Sequence, residues 1–304
     1  MFAFRQTGES GKRQYALTRA IPMIASRIWR QLEQASLEQQ RGRNFWELAV
    51  VPGEVYAPLL TRWFGAWLQG PWRQHGAYAA ATLREPTADR LAEIRDVLVL
   101  LGEAILVLPA EETIASAGLE AAPSLYALST NFKRGGRRGE HTPIGQMEYD
   151  AKYLCYGKAR QQLGQALAAF ARRHPEFRQA QSVVPVPPDP GKTGHLPNYL
   201  AEIMARAMGI ACEPGRVRKR RRTGPLKDLP LEEKRRALEG AMAPFGPLEA
   251  KHFIVVDDLI QSGTTMLMTI KALLDGGAAS AVGLACVKSL SDDDNISRPQ
   301  YTAY

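Results

Sequence analysis

The chain has 304 residues, of which 45% are hydrophobic and 23% are charged, so its size and composition suit a protein with two separate hydrophobic cores. Its three cysteines, Cys155, Cys212 and Cys286, are too widely spaced for a disulfide framework or a paired-cysteine metal site. No apolar run reaches the roughly 18 residues of a membrane span, and no secretion signal is recognisable. We therefore expect a cytoplasmic protein that does not enter a membrane. Its net charge of +8 suggests anionic partners.

The first part of the chain carries patterns typical of both helices and strands. Apolar residues recur at helical spacing over 19–38 and 56–68, which predicts two helices. The stretch 96–110 is rich in Val, Leu and Ile around Gly102 and Glu103, which predicts two strands joined by a turn. We predict a mixed α+β N-terminal domain over residues 1–140.

The segment 129–145 has little apolar periodicity and contains four glycines, which is typical of a linker. We therefore place the domain boundary there and predict a second domain over 145–290. The remaining residues, 291–304, form a predicted C-terminal tail.

In the second domain the patterns alternate between helix and strand. Helical patterns cover 149–174, 196–208 and 264–274, and short apolar strands cover 182–186, 252–256 and 281–287. Strands that alternate with helices indicate an α/β fold with a parallel sheet and crossover helices.

The strand at 252–256 runs into two acids and then into a turn of small residues. The acids are Asp257 and Asp258, and the turn comprises Gln261, Ser262, Gly263, Thr264 and Thr265. Open α/β sheets bind ligands at the carboxyl ends of their strands. The turn can surround a phosphate with N–H groups and hydroxyls, because Gly263 permits close approach and the next helix presents its positive end. The acids would repel a bare phosphate, so we expect them to face hydroxyl groups or a metal ion, as a ribose 5-phosphate would allow.

This strand, acid pair and turn resemble the signature of type I phosphoribosyltransferases, whose fold is a Rossmann-like parallel sheet with flanking helices. The resemblance implies that Asp257 and Asp258 bind the ribose hydroxyls of phosphoribosyl pyrophosphate, directly or through Mg²⁺. It also implies that residues 261–265 hold the 5-phosphate. Gln261 departs from the small residue that the family usually has at its position.

Three further stretches resemble the competence protein ComF group of that family. Residues 147–157 are similar to the group's opening helix, residues 183–187 to the strand before its pyrophosphate loop, and residues 218–223 to its basic mobile segment. The resemblance implies that Pro187 and Pro188 contact pyrophosphate. The chain lacks the group's N-terminal zinc-binding cysteines and carries Lys227 where the group usually has Gln.

A basic segment extends from Arg216 to Arg236, with ten Lys or Arg residues against three acids. Three interpretations stay open: cations that neutralise the leaving pyrophosphate, a contact with single-stranded nucleic acid, or a solvated run of charge. For the first interpretation we select Arg220, Arg222 and Lys227 as catalytic residues.

The sequence thus supports two hypotheses of function. The first is a phosphoribosyltransferase that binds phosphoribosyl pyrophosphate with Mg²⁺ and transfers the phosphoribosyl group to an unknown acceptor, with release of pyrophosphate. The alternative is a non-catalytic protein, either a ribose-phosphate binder or a DNA-handling accessory in the manner of ComF proteins. A homodimer is compatible with the sequence.

Overall fold

The computed structural model describes residues 5–6, 14–18, 29–39, 45–133, 137, 139–224, 226, 229–248 and 250–290. The predicted tail over 291–304 and the predicted site residue Lys227 lie outside these residues. The described residues form two compact units. The first comprises those up to Ala104 except Trp29, and the second comprises Trp29 and those from Ile105 onward.

The strands of the described residues are β1 (Arg5–Gln6), β2 (Gln14–Thr18), β3 (Trp29–Arg30), β4 (Gln34–Gln39), β5 (Phe45–Val51), β6 (Leu68–His75), β7 (Tyr78–Arg84), β8 (Ile105–Val107), β9 (Leu125–Thr130), β10 (Ser182–Pro185), β11 (Ala211–Cys212), β12 (Val217–Lys219), β13 (Met242–Pro244), β14 (His252–Ile260) and β15 (Ser280–Lys288). The helices are α1 (Gly53–Phe64), α2 (Ala88–Glu103), α3 (Glu111–Ser116), α4 (Pro143–Tyr153), α5 (Gly157–Arg173), α6 (Leu196–Met208), α7 (Leu231–Leu238) and α8 (Thr264–Asp275), with a short 3-10 turn at Gly65–Trp67.

The first unit contains a six-stranded sheet in the order β1-β2-β4-β5-β7-β6, and neighbouring strands are antiparallel. The helix α1 begins close against β7, because a Cβ atom on Gly53 would lie 2.5 Å from the Cβ of Ala79. With α2 packed in the same unit, the predicted α+β character of the N-terminal region is confirmed.

Two predictions for this region were wrong. Where the structure describes the predicted helix 19–38, it has the strands β3 and β4 instead, and in β4 the residues Ala35 and Leu37 alternate inward with a period of two. The first strand predicted within 96–110 is the end of α2. Its buried Ile94, Val97 and Leu98 follow helical spacing, so residues of high strand propensity form one face of a helix. The second predicted strand corresponds to β8, and the helix predicted over 56–68 corresponds to α1.

The second unit contains a seven-stranded sheet in the order β11-β10-β14-β15-β9-β8-β3. The five strands from β11 to β9 run parallel to their neighbours, and β8 pairs with β9 in the antiparallel direction. The central strands bury Val183, Phe253–Val256 and Leu284–Val287, as expected for a sheet covered by helices on both faces. The predicted α/β class is confirmed.

The second unit begins earlier than the predicted boundary at residue 140. β9 pairs with β15 through five residue pairs, from Gly283↔Leu125 to Lys288↔Thr130. Residues 105–130 therefore belong to the parallel sheet, and the Gly-rich segment predicted to be a linker connects β9 to α4 within one unit.

The remaining predicted elements of this unit correspond to β10, α6, β14, α8 and β15. One difference is that the helical pattern over 149–174 forms two helices, α4 and α5, which are separated near Cys155, where φ is 56°. A second difference is that β14 continues four residues beyond Val256 and carries both acids within the strand. None of the described helices has the length and apolar character needed to cross a membrane.

Candidate functional site

The site lies where β10 and β14 end side by side. These strands are parallel, with Pro185 opposite Val256, and the N–H of Val186 donates to the carbonyl of Val256 over 2.9 Å. Pro187 and Pro188 therefore follow one strand at the same edge of the sheet at which Asp257 and Asp258 lie on the other. The two segments thus lie at one edge of the sheet.

Asp258 is 9% exposed and forms an ion pair with a residue of α4. The Nζ of Lys152 lies 3.0 Å from Oδ2 of Asp258 and 3.4 Å from Oε1 of Glu148, one helical turn earlier. Burial alone would lower the pKa of Lys152, but the charges of Asp258 and Glu148 outweigh it and raise that pKa. Lys152 is therefore protonated at physiological pH and neutralises part of the acidic cluster.

The carboxyl groups of Asp257 and Glu148 both have raised pKa values. Burial, reinforced by the charge of Asp258, raises the pKa of Asp257 well above its ordinary range. Burial likewise raises the pKa of Glu148, although Lys152 acts in the opposite direction. One ammonium thus faces three carboxyl groups, so this cluster favours additional cations or hydrogen-bond donors.

The turn after β14 forms the start of α8. Gly263, at φ 81°, is the residue that precedes the helix, and a Cβ there would lie 3.1 Å from Cδ1 of Leu125. The hydroxyls of Ser262 and Thr264 are 2.8 Å apart, and both residues are buried. This turn gathers hydroxyls and the first N–H groups of a helix, which together suit an anion.

A pocket of about 430 Å³, its mouth included, adjoins this turn. Its lining comes from α7 and the chain before it, from the end of β14, from the turn and from the start of α8. The residues are Leu226, Lys234, Leu238, Asp257, Leu259, Ile260, Gln261, Ser262, Gly263, Thr264, Thr265 and Met266. The structure therefore brings Asp257 and the five predicted turn residues together around one space. Asp258 lies next to it on the strand, with its carboxylate on Lys152.

Asp257 and Asp258 are the residues of this site that could bind a magnesium ion. Within the described part of the chain, no group of three or more His, Cys, Asp or Glu side chains is arranged to hold a metal ion. Mg²⁺ commonly binds one or two protein carboxylates and completes its shell with water and phosphate oxygens. Asp257 and Asp258 would supply those carboxylates.

The loop after β10 is fastened to the basic segment through Asp189. One of its carboxylate oxygens accepts from Lys219 Nζ at 2.7 Å and from Thr223 Oγ1 at 2.9 Å, and the other accepts from the N–H of Gly224 at 3.0 Å. Burial would raise the pKa of Asp189, but the bonds from Lys219 and Thr223 prevail and lower it to about 2. The loop and the basic segment are therefore joined by a charged contact.

Of the predicted catalytic cations, the structure describes Arg220 and Arg222, and neither lines the pocket. Arg220 and Arg222 are exposed, and Nε of Arg222 donates to the carbonyl of Pro190 over 3.3 Å. Arg222 thus contacts the loop that follows Pro187 and Pro188, while neither arginine lines the space next to Asp257.

His195 lies at the end of the loop after β10, directly before α6. Its Nδ1 lies 3.4 Å from Oδ1 of Asn198, and burial lowers its pKa although Asn198 and the charge of Asp258 favour the protonated form. A neutral imidazole at this place can accept or donate a proton near the acid pair.

Comparisons with known proteins give a fold likeness only. No family model matches the chain, and no curated protein matches it. A hypothetical protein from Neisseria gonorrhoeae with bound ppGpp is 15% identical, with a TM-score of 0.31, and the match covers 49% of this chain and 77% of that one. A purine phosphoribosyltransferase from Pyrococcus horikoshii is 15% identical, with a TM-score of 0.29 and coverage of 44% and 85%. Likenesses of this degree identify no functional residue.

Four side chains at or near the site were not predicted: Glu148, Lys152, Asp189 and Lys234. For Glu148 and Lys152 the sequence indicates only that the two side chains share one face of a helix, because they are four residues apart. Lys234 lies in an amphipathic helix at a position where the spacing predicts burial. The sequence holds no comparable signal for Asp189.

Proposed function

We propose that the second unit binds phosphoribosyl pyrophosphate with Mg²⁺ and transfers its phosphoribosyl group to an acceptor, with release of pyrophosphate. The observation that carries the proposal is the single pocket shared by Asp257 and the turn Gln261–Thr265. A carboxyl group and an anion-binding turn in one pocket match a ribose that carries hydroxyls on its ring and a phosphate on C5.

In this proposal the chain acts mainly by position and charge. The turn holds the 5-phosphate, and the acid pair holds the ribose hydroxyls and, with them, the metal ion. When the bond from C1 to pyrophosphate breaks, its electron pair leaves with the pyrophosphate and the ring gains positive charge, which nearby carboxylates stabilise. Mg²⁺ neutralises charge on the leaving group when it is bound.

The cations of the basic segment complete the proposed chemistry. Arg220, Arg222 and Lys227 would neutralise the pyrophosphate as it leaves. Support comes from the bond of Arg222 to the loop after Pro188 and from the contact of Lys219 with Asp189 in the same loop. Cations that bind pyrophosphate more strongly as its negative charge develops would lower the activation barrier of the transfer.

Calorimetric titration of phosphoribosyl pyrophosphate into the full chain, with and without Mg²⁺, tests this function. We expect micromolar binding that requires Mg²⁺ and that falls at least tenfold in Asp258→Asn, since charge-assisted hydrogen bonds contribute about 1.5–3 kcal/mol each. Asp275→Asn, which changes an exposed acid on α8, is the matched control. Unchanged binding by Asp258→Asn would refute the proposal.

A second candidate function is a non-catalytic contact with single-stranded nucleic acid. It is favoured by the consecutive exposed residues Arg220 to Arg222 and by Arg218, whose guanidinium lies 3.7 Å from the ring centre of Phe245. Phe245 is 55% exposed. Exposed cations beside an exposed ring suit a phosphate backbone with stacked bases.

Binding of a fluorescent oligothymidylate at several salt concentrations separates the two functions. Nucleic-acid binding predicts an affinity that falls steeply with salt and is weakened by Phe245→Ala. Pyrophosphate release with an acceptor base, without any effect of Phe245→Ala, supports the transferase instead. The ComF-like resemblance, the homodimer and the cytoplasmic location remain predictions.

A further inference from the structure

The pocket has one wall that does not belong to the phosphate-binding turn. Lys234 and Leu238 of α7 line it. Lys234 is 3% exposed, and its Nζ lies 3.5 Å from Oε1 of Gln261 at the start of the turn. A lysine is seldom buried to this extent without charged or polar surroundings.

The pattern of α7 explains why Lys234 faces inward. Leu231, Lys234 and Leu238 are the buried residues of the helix, and their spacings of three and four place them on one stripe. Arg236 lies outside this stripe, with its side chain 75% exposed. An apolar side chain at position 234 could be buried without the free-energy cost of removing a charge from water. The ammonium of Lys234 therefore gives this wall a charge that packing does not require.

The groups around the turn end of the pocket are mostly hydrogen-bond donors. They comprise the N–H groups at the start of α8, the hydroxyls of Ser262, Thr264 and Thr265, and the ammonium of Lys234. Asp257, which lines the same pocket, adds a carboxyl group rather than a further cation, so an anionic group fits at the turn rather than beside the acid. A ligand with a phosphate at one end and hydroxyls at the other satisfies both parts.

We propose that Lys234 is the cationic member of the phosphate site and binds the terminal phosphate monoester of a sugar phosphate. Gln261 is a positioning residue, whose carboxamide oxygen directs the ammonium toward the turn. The inference rests on the proposed function and deepens it, because it adds a residue from outside the signature and a requirement for a dianionic group.

The test compares two substitutions on one helix. Inorganic phosphate and ribose 5-phosphate are titrated calorimetrically into the wild type, Lys234→Met and Arg236→Gln at about 0.5 M salt, where exposed charges are largely screened. We expect Lys234→Met to weaken both ligands about 10- to 100-fold, the range of a charge-assisted hydrogen bond. Lys234→Arg should retain most of the affinity, and Arg236→Gln should change it less than about twofold.

The outcomes distinguish this inference from the proposed function. Wild-type affinity in a folded Lys234→Met variant overturns the role of Lys234 and leaves the transferase proposal standing. Weakened phosphate binding in that variant, together with unchanged phosphoribosyl pyrophosphate binding in Asp258→Asn, supports an anion site and refutes the transferase. Failure of the wild type to bind either probe overturns both. If Lys234→Met does not fold, Gln261→Leu gives a second readout: a several-fold loss supports the inference, and no loss opposes it.

Discussion

Lys152 connects α4 to Asp258 on β14 by an ion pair and offers a test at the scale of one residue. Its removal would leave Asp258 and the buried Glu148 without their shared cation. Because the Lys152 side chain is 34% exposed, we expect Lys152→Met to lower the free energy of unfolding by about 1–3 kcal/mol, less than the loss of a fully buried pair. Urea denaturation followed by circular dichroism measures the change.

Two variants serve as controls for that experiment. Lys152→Arg retains the positive charge and should restore most of the stability, whereas Lys158→Met removes an exposed lysine near the start of α5 and should have little effect. An equal loss in Lys152→Met and Lys158→Met would show that the ion pair contributes nothing beyond surface charge.

Under the proposed function Gly263 lets the turn approach a ligand closely, and Gly263→Ala tests that role. An alanine would have to adopt φ 81° and place its Cβ 3.1 Å from Leu125, so we expect a loss of about 1–3 kcal/mol in the free energy of unfolding. Ligand affinity should fall as well, because the start of α8 must shift. Gly209→Ala is the control: φ there is 73° and nothing lies within 4 Å, so it has the backbone strain without the crowding. Equal effects of both variants on ligand affinity would contradict a specific role for Gly263.

The sequence predicted the part of the site that is contiguous in the chain. The acids and the turn lie within nine residues, from Asp257 to Thr265, so one local pattern of strand, acids and small residues contains them. Lys152 and Lys234 reach the site through the packing of α4 and α7, and no local pattern records which side of a helix faces a distant strand.

At the scale of elements, Asp189 fastens the loop after β10 to the basic segment, and Asp189→Ala should release it. The Lys219 side chain, 8% exposed, would lose the carboxylate that it now contacts, and Thr223 and Gly224 would lose their acceptor. Local opening should become at least tenfold more frequent, as loss of a charged hydrogen bond implies.

Limited trypsin digestion with mass spectrometry measures this opening. Cleavage between Arg216 and Thr223 should accelerate in Asp189→Ala and remain at the wild-type rate in Asp275→Ala, which removes an exposed acid paired with Lys271. A wild-type cleavage rate in Asp189→Ala would mean that backbone contacts such as Arg220 N–H to the Ala241 carbonyl suffice to hold the segment.

The sequence predicted best the strands that are buried on both faces of the sheet. It predicted worst the segments whose strand propensity disagrees with the helix that they form. Residues 253–256 of β14 and 284–287 of β15 are apolar and buried, so the sequence identifies both segments as central strands. The end of α2 has the same Val- and Leu-rich composition, yet it forms a helix, whose first turn is stabilised by a bond from the N–H of Arg90 to the Thr87 side chain. Composition alone could not separate the two cases.

At the scale of the whole molecule, the division into units could not be predicted from linker composition. The sequence over 129–145 is rich in glycine, but β9, which begins before it, belongs to the sheet of the second unit. The parallel partner of β9 is β15, near the other end of the second unit, and local periodicity does not indicate such a long-range pairing.

The second unit also contains a buried histidine that should control its stability in acid. His174 is 0% exposed and packs against the rings of Tyr126, Phe170 and Phe177 at centroid distances of 4.7, 5.3 and 4.9 Å. Burial, assisted by the charge of Arg178, lowers the pKa of His174 from about 6.5 to about 3. The folded protein therefore keeps this imidazole neutral in conditions in which an unfolded chain would protonate it.

The direction of the resulting pH dependence follows from that difference. Above pH about 6.5 both states are neutral at His174 and its contribution to stability is complete. As pH falls from about 6.5 toward 3, the unfolded chain binds the proton and the folded protein does not, so the free energy of unfolding falls by up to about 1.4 kcal/mol per pH unit.

His174→Phe keeps a ring in the cluster and removes the titration. Urea denaturation at pH 7 and 5 should therefore show a decrease about 2 kcal/mol smaller in this variant than in the wild type, while His75→Gln, at an exposed position, should behave as the wild type. The same decrease in His174→Phe and the wild type would assign the acid sensitivity to other groups.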